Sequence, residues 1–253
     1  MALNYPPERL EIIVASDGSE DNTNTIVRHF SDRSVRLLEL PRRGKAATLN
    51  AAVAAANGEI LVFSDANSLY DPSAICALAG PFADPSVDGV AGNQVYRARN
   101  TATTPSGEQI YRDFDRKLNR SQSQTGNTIS ATGAIYAIRR TLFHPIPGDV
   151  TDDFAISTAV IAQDYRLVSV PDAIAYETAA HSNAIEFGRK VRVITRGLRA
   201  VLLCRALLNP LRYHFYALQL FSHKVLRRLV VLPLLLLSPL IWSKGLFYSA
   251  LHK

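Results

Sequence analysis

The sequence predicts an α/β fold, in which a mostly parallel sheet is covered by helices on both faces. Apolar runs of strand length, such as Leu10–Ala15 and Val35–Leu40, alternate with stretches of strong helix formers such as KAATLNAAVAAA. Each run closes on a polar or proline-containing turn. The segments between runs are long enough to act as the crossover helices that parallel strands require.

Taken in order, Leu10–Ala15 reads as the first strand, and DGSEDNT turns into a helix over Thr23–Phe30. Val35–Leu40 is a second strand, closed by Pro41. GKAATLNAAVAAANG gives a helix with Asn57-Gly58 at its end, Glu59–Ser64 a third strand, and Pro72–Phe82 a further helix. Val87–Ala98 reads as a strand, Ser106–Gln124 as a polar helix, and Ile129–Ile138 as extended chain. A helix follows over Thr151–Ile161, then strands at Arg166–Val170 and Ile174–Glu177. Ligands of such sheets bind beyond the carboxyl ends of the strands. Asp17 and Asp65 both fall at such ends.

The net charge of +6 is unevenly placed. Residues 187–253 carry 12 Lys/Arg and no acid, which leaves 16 Lys/Arg against all 22 Asp/Glu in residues 1–186. The basic part is rich in Leu, Val and aromatic residues, a composition that suits an anionic membrane surface. No basic patch elsewhere interleaves with aromatics for base stacking, so nucleic acid is not an expected partner. The two cysteines, Cys76 and Cys204, lie far apart and outside any zinc or disulfide motif. The organisation expected is a catalytic domain over 1–184, basic amphipathic interfacial helices over 185–224 broken at Asn209-Pro210, and a hydrophobic segment over 225–253. Leu229–Trp242 is short for a span of about 20 residues. An extension to Leu251 reaches that length but crosses Lys244, Pro233 and Pro239. The segment reads first as a transmembrane helix, then as a re-entrant or interfacial segment, and last as a soluble core helix. The flanking cations place the catalytic part on the cytoplasmic side of an inner or plasma membrane.

Four stretches can carry chemistry, and each also has a plain structural reading. Asp17 in ASDGS either caps a turn or accepts from a nucleotide. Lys45 in RRGKAATLN is either a solvated lysine or a phosphate ligand at a helix N-terminus. Asp65 and Asn67 in SDANS either cap the next helix or supply oxygens to Mg²⁺ or Mn²⁺, which are held by one or two carboxylates together with substrate phosphates. Asp152 and Asp153 in VTDDF either complement a helix dipole or provide a general base with a supporting neighbour.

Their order is more telling than any one of them. EIIVASDGSEDNT, RRGKAATLN, ILVFSDANSLYDP, FADPSVDGVAGN, TGAIYAIRR, TDDF and PDAIAYE run across residues 10–178. As a set they resemble the inverting family 2 glycosyltransferases of GT-A (Rossmann-like) fold, which include membrane-bound polysaccharide synthases. The resemblance implies that Asp17, Gly18 and Ser19 contact the nucleotide and that Lys45 meets its ribose or phosphates. It implies that Asp65 and Asn67 hold a divalent cation (Mg²⁺ or Mn²⁺) on the diphosphate, and that Thr132, Gly133 and Ala134 line the acceptor pocket. Asp153 would then be the catalytic base, with Asp152 beside it. The implied partners are a nucleoside-diphosphate sugar, UDP-linked by expectation, a glycan or lipid-linked acceptor, and the membrane.

Some positions depart from the family pattern. Asn67 stands where a second aspartate is usual, which lowers the expected metal affinity. Of the QxxRW motif of processive synthases only the arginine remains, as Arg196 in VITRG, where it is placed to touch the diphosphate. The family's opening strand and loop would precede YPPERLEIIV, so a catalytic domain shortened at its N-terminus is expected. A catalytically impaired or non-catalytic relative serving as a membrane-bound scaffold or subunit is the alternative.

Overall fold

The computed structural model describes residues 3–31, 35–97, 126–178 and 183–229. It divides into two compact units, Met1–Ala200 and Val201–Lys253. In the first unit, β1 (Ile12–Asp17), α1 (Thr23–Arg28), β2 (Val35–Leu40), α2 (Lys45–Ala55) and β3 (Ile60–Phe63) follow the expected alternation. The short β4 (Leu69–Tyr70), α3 (Ala74–Ala79) and β5 (Gly89–Arg97) come next. After the undescribed stretch come β6 (Tyr136–Arg139), α4 (Asp152–Ala162), β7 (Leu167–Thr178) and α5 (Asn183–Leu203), whose last three residues fall in the second unit. The helix expected over Ser106–Gln124 lies outside the described residues.

The expectation of a mostly parallel sheet needs correcting. β1 and β2 pair in parallel as a two-stranded sheet, and a five-stranded sheet runs in the order β3-β6-β5-β7-β4. In the larger sheet only β5 and β7 are parallel; β6 is antiparallel to both β3 and β5, and β4 is antiparallel to β7. The direction of β6 has a local cause. Residues 132–134 sit at the carboxyl rim of β3, where Gly133 lies against Asp65. A strand that leaves that rim must run back across the sheet. The extended stretch expected over Ile129–Ile138 accordingly becomes a loop feeding a four-residue strand.

The two strands expected over 166–177 are one, β7, carried through Pro171. Pro171 is tolerated because the β5–β7 register slips between Ala91 and Asn93, which frees the ladder at that point. Gly92 sits in the slip, and a Cβ there would lie 2.7 Å from Ile135 Cγ2 and 2.8 Å from the Ala173 carbonyl. The core is built where sheet meets helix: Leu78 and Phe82 pack with Val90, Ile135, Ala137 and Ala175.

Three tethers place the rim. Asn50 on α2 donates to the Ile146 carbonyl and accepts from the Ile146 N–H, both at 3.0 Å, pinning α2 to the loop before α4. The Ser157 hydroxyl, wholly buried on α4, donates to the Asp153 carbonyl at 2.6 Å and accepts from Ala131 N at 3.0 Å. The Tyr70 hydroxyl lies within bonding distance of the Phe63 and Ala134 carbonyls, at 3.3 and 3.4 Å. Asn50→Ala leaves the Ile146 N–H and carbonyl without this partner, and we expect a loss of about 1–3 kcal/mol. Urea unfolding checks it, and an unchanged midpoint would contradict the role given to this tether.

The second unit contains a 3₁₀ turn over Arg205–Leu208 and the helix α6 (Pro210–Leu220), which continues into a π-turn over Phe221–Leu226. The break expected at Asn209-Pro210 is present, with the Asn209 side chain accepting from Leu211 N. Among the described residues no helix is long and apolar enough to cross a membrane. Most of the hydrophobic segment expected over 225–253 lies outside the described residues.

Candidate active site

Asp17 closes β1 and turns its carboxylate onto the loop that enters α2. Its oxygens accept from the backbone N–H groups of Arg43 at 2.7 Å and of Gly44 at 3.0 and 3.1 Å. The Arg43 N–H is the main reason that its carboxyl is held below the usual range. The helix that Asp17 serves is thus α2, through Arg43 26 residues on and the N-cap Gly44, and not the one that follows it directly. Gly18 has φ +63°, and a Cβ there would meet the Arg42 backbone at 2.9 Å, so this turn accepts no larger residue without strain. Ser19 follows, half-buried.

Gly44, with φ +89°, is the N-cap of α2, and Lys45 is its first residue. The Lys45 ammonium lies 2.6 Å from Asp65 Oδ1 and 2.9 Å from Asp152 Oδ2. One side chain therefore joins the end of β3 to the start of α4. Burial pulls the ammonium's pKa down, but the Asp152 and Asp65 carboxylates outweigh it and push it up to about 12. A raised lysine pKa stabilises the fold fully below the ordinary value of 10.5, and the effect is lost as pH rises through about 12. The Lys45 ammonium is therefore charged at any physiological pH.

Asp65 lies just beyond β3, and the Ser68 N–H donates to its carbonyl at 3.1 Å to close the turn. Asn67, exposed, sits within that turn. A Cβ on Gly133 would stand 2.9 Å from Asp65 Oδ2, so this glycine lets the loop 132–134 approach the carboxylate closely. We expect Gly133→Ala to displace Asp65 and weaken donor binding more than it weakens the fold. Nucleotide titration beside thermal unfolding checks this, and a variant with wild-type binding would contradict it.

Asp152 and Asp153 open α4. Asp152 turns to Lys45, while Asp153 accepts from the Phe154 N–H at 2.8 Å. Beneath them Tyr136, 1% exposed, stacks on Phe63 with ring centroids 4.7 Å apart. Burial and then the charges of Asp152, Asp153 and Asp65 raise its phenol well above the usual range. Tyr136 Oη, Thr132 Oγ1 and Thr151 Oγ1 are buried with no hydrogen-bond partner among the described residues. Buried hydroxyls that lack a partner are uncommon, and three of the six such side-chain atoms among the described residues belong to Tyr136, Thr132 and Thr151 near the acids. Ala134 is buried behind Gly133. Arg196 is exposed on α5 and is not among the side chains that Lys45 draws together.

The donor set fits a divalent cation only in part. Among the described residues no group of three or more His, Cys, Asp or Glu is placed to hold a metal. Asp65, with the amide oxygen of Asn67 nearby in sequence, is the kind of partial site that Mg²⁺ or Mn²⁺ completes with phosphate oxygens. Tyr136 and the Lys45 bridge are the features the sequence does not announce. Tyr136 stands four residues after Thr132 inside the TGAIYAIRR stretch, so the position was in view, but its role depends on β6 passing beneath the acids. Two surface hollows, of about 490 and 830 Å³, are lined by other residues and contain none of these acids.

Comparison with known proteins bears on the family and the fold. The sequence model of the family described as "Glycosyl transferase family 2" matches residues 2–146. A poly-β-1,6-N-acetyl-D-glucosamine synthase of Staphylococcus epidermidis is 26% identical over 183 residues, covering 70% of this chain and 44% of that protein. A probable glycosyltransferase, YdaM, of Bacillus subtilis is 28% identical over 189 residues, covering 69% of this chain and 44% of its own length. The chain thus spans less than half the length of these relatives. Among solved structures, the mannosyltransferase PcManGT of Pyrobaculum calidifontis, in complex with GDP-Man and Mn²⁺, superposes with a TM-score of 0.66 at 28% identity, covering 79% of this chain and 57% of that one. TarS of S. aureus, in complex with UDP-GlcNAc, shares the fold with a TM-score of 0.59 at 14% identity over 91% of this chain and 69% of its own.

Proposed function

Because this chain belongs to glycosyl transferase family 2, we propose that it transfers a sugar from a nucleoside diphosphate to an acceptor hydroxyl, with inversion at the anomeric carbon. The observation that carries this reading is the Lys45 bridge, which gathers Asp65 and Asp152 at one rim with Asp153 adjacent. Asp17 and the loop it orders, with Gly18 and Ser19, form the nucleotide end. Asp65 and Asn67 would hold a divalent cation on the diphosphate, where its charge offsets that of the leaving group. Thr132 and Gly133 face the acceptor, and Ala134, expected beside them, is buried in the core behind Gly133.

In the transfer itself the acceptor hydroxyl attacks the anomeric carbon, the bond to the diphosphate breaks, and Asp153 takes the hydroxyl proton. Asp152 keeps Lys45 at the rim, where the ammonium neutralises oxygens of the departing diphosphate. UDP-sugars are our first choice of donor. GDP-mannose is the second, because the mannosyltransferase that resembles this chain was solved with GDP-Man and Mn²⁺. The test is release of nucleoside diphosphate from a donor panel with and without Mn²⁺. Release from one donor that depends on Mn²⁺ supports the reading; none from any donor, with acceptor glycans present, removes it and leaves a scaffold.

The partner surface we propose is an anionic membrane. It is supported by the absence of acids from residues 187–253 and by apolar side chains left in solvent, Leu202, Leu211 and Phe215 being 68, 87 and 65% exposed. Sedimentation with phosphatidylglycerol vesicles checks it. Binding should weaken in high salt and in Leu211→Ser/Phe215→Ser, and binding indifferent to both would contradict the assignment.

A further inference from the structure

The residue bridging the rim acids is itself a cation, and the metal proposed for this rim must use one of the same carboxylates. Lys45 Nζ is within 3 Å of oxygens from both Asp65 and Asp152. That is the kind of position a metal drawn to these two carboxylates would take. We propose that Lys45 is an internal counter-cation: it occupies the acid pair while the cleft holds no donor, and a divalent ion enters as the diphosphate arrives to receive the ammonium. This rests on the reading of the rim as the donor-diphosphate site.

Three features of the chain support the exchange. A bare divalent ion approaching Asp65 meets the ammonium as a like charge, and among the described residues Lys45 pairs with no acid besides these two. A diphosphate supplies one. Lys45 is also the first residue of α2, directly after Gly44 at φ +89°, so its new partner would sit where the helix's free N–H groups already favour an anion. Finally, among the described residues no three acids, Asp153 included, are grouped so as to hold a metal without phosphate oxygens. Metal and nucleotide are then coupled, each binding better with the other, and Lys45 is a source of that coupling.

The experiment is a Mn²⁺ titration of the full chain, read from the electron paramagnetic resonance of free Mn²⁺, with and without UDP or GDP. Nucleotide-free Lys45→Met, and Lys45→Gln as a second neutral variant, are expected to bind Mn²⁺ about tenfold more tightly than wild type, a typical coupling size. Lys45→Arg, which keeps the charge, should stay near wild type, and circular dichroism confirms that the variants are folded. In wild type the nucleotide should tighten Mn²⁺ uptake far more than it does in the neutral variants. Neutral variants that bind Mn²⁺ no better than wild type without nucleotide overturn the counter-cation, even where wild type takes up Mn²⁺ with nucleotide. Wild type that takes up no Mn²⁺ with either nucleotide overturns the donor-site reading, and the counter-cation with it.

Discussion

Asp153→Asn should lower sugar transfer by about two to four orders of magnitude, the usual contribution of a general base, while Mn²⁺ and nucleotide still bind. The substitution keeps the shape at the start of α4 and still offers an oxygen to the Phe154 N–H, which Asp153 accepts at 2.8 Å. What disappears is the ability to take a proton. Asp152→Asn should behave differently, because Asp152 shares Lys45 with Asp65 across 2.9 Å. Its loss frees the ammonium and changes ligand affinity along with rate. Single-turnover transfer measured beside nucleotide titration separates the two. A fast Asp153→Asn paired with a slow, normally binding Asp152→Asn would move the base to position 152.

Asp65→Ala should be the most damaging change to donor binding, with kcat/KM falling by at least about a hundredfold. It removes the carboxylate that Lys45 touches at 2.6 Å and that Gly133 is shaped to accommodate. The residue sits at the rim, outside the buried core, so the folded chain should survive. Calorimetry with Mn²⁺ and nucleotide is the check. Retained uptake with wild-type affinity would show that the metal and diphosphate are held elsewhere. The converse change, Asn67→Asp, restores a second carboxylate and should tighten Mn²⁺ binding severalfold.

The sequence made the first half of the fold legible because its strands are short apolar runs with sharp ends, and β2 occupies Val35–Leu40 as expected. It misled on strand direction, since apolar content and period carry no sign of which way a strand runs. The direction of β6 follows from where Gly133 must sit, a contact 68 residues apart in the chain. The site was legible as motifs and opaque as contacts. Asp17 taken alone reads first as a local cap and second as a ligand, and it proves to order the entrance of a distant helix. Lys45 read as a solvated lysine or a phosphate ligand, yet its partners are two carboxylates. Such pairings depend on how α2 is docked, and Asn50 decides that through Ile146.

Ser157 has a consequence for anyone altering what this protein accepts. One hydroxyl grips the backbone at Ala131 on one side and at Asp153 on the other. Redesigning the stretch around Thr132 to admit a bulkier recipient would therefore tug on Asp153, the residue we propose as the base. Selectivity and turnover should drift together in such libraries, and compensating changes should gather along the inner face of α4.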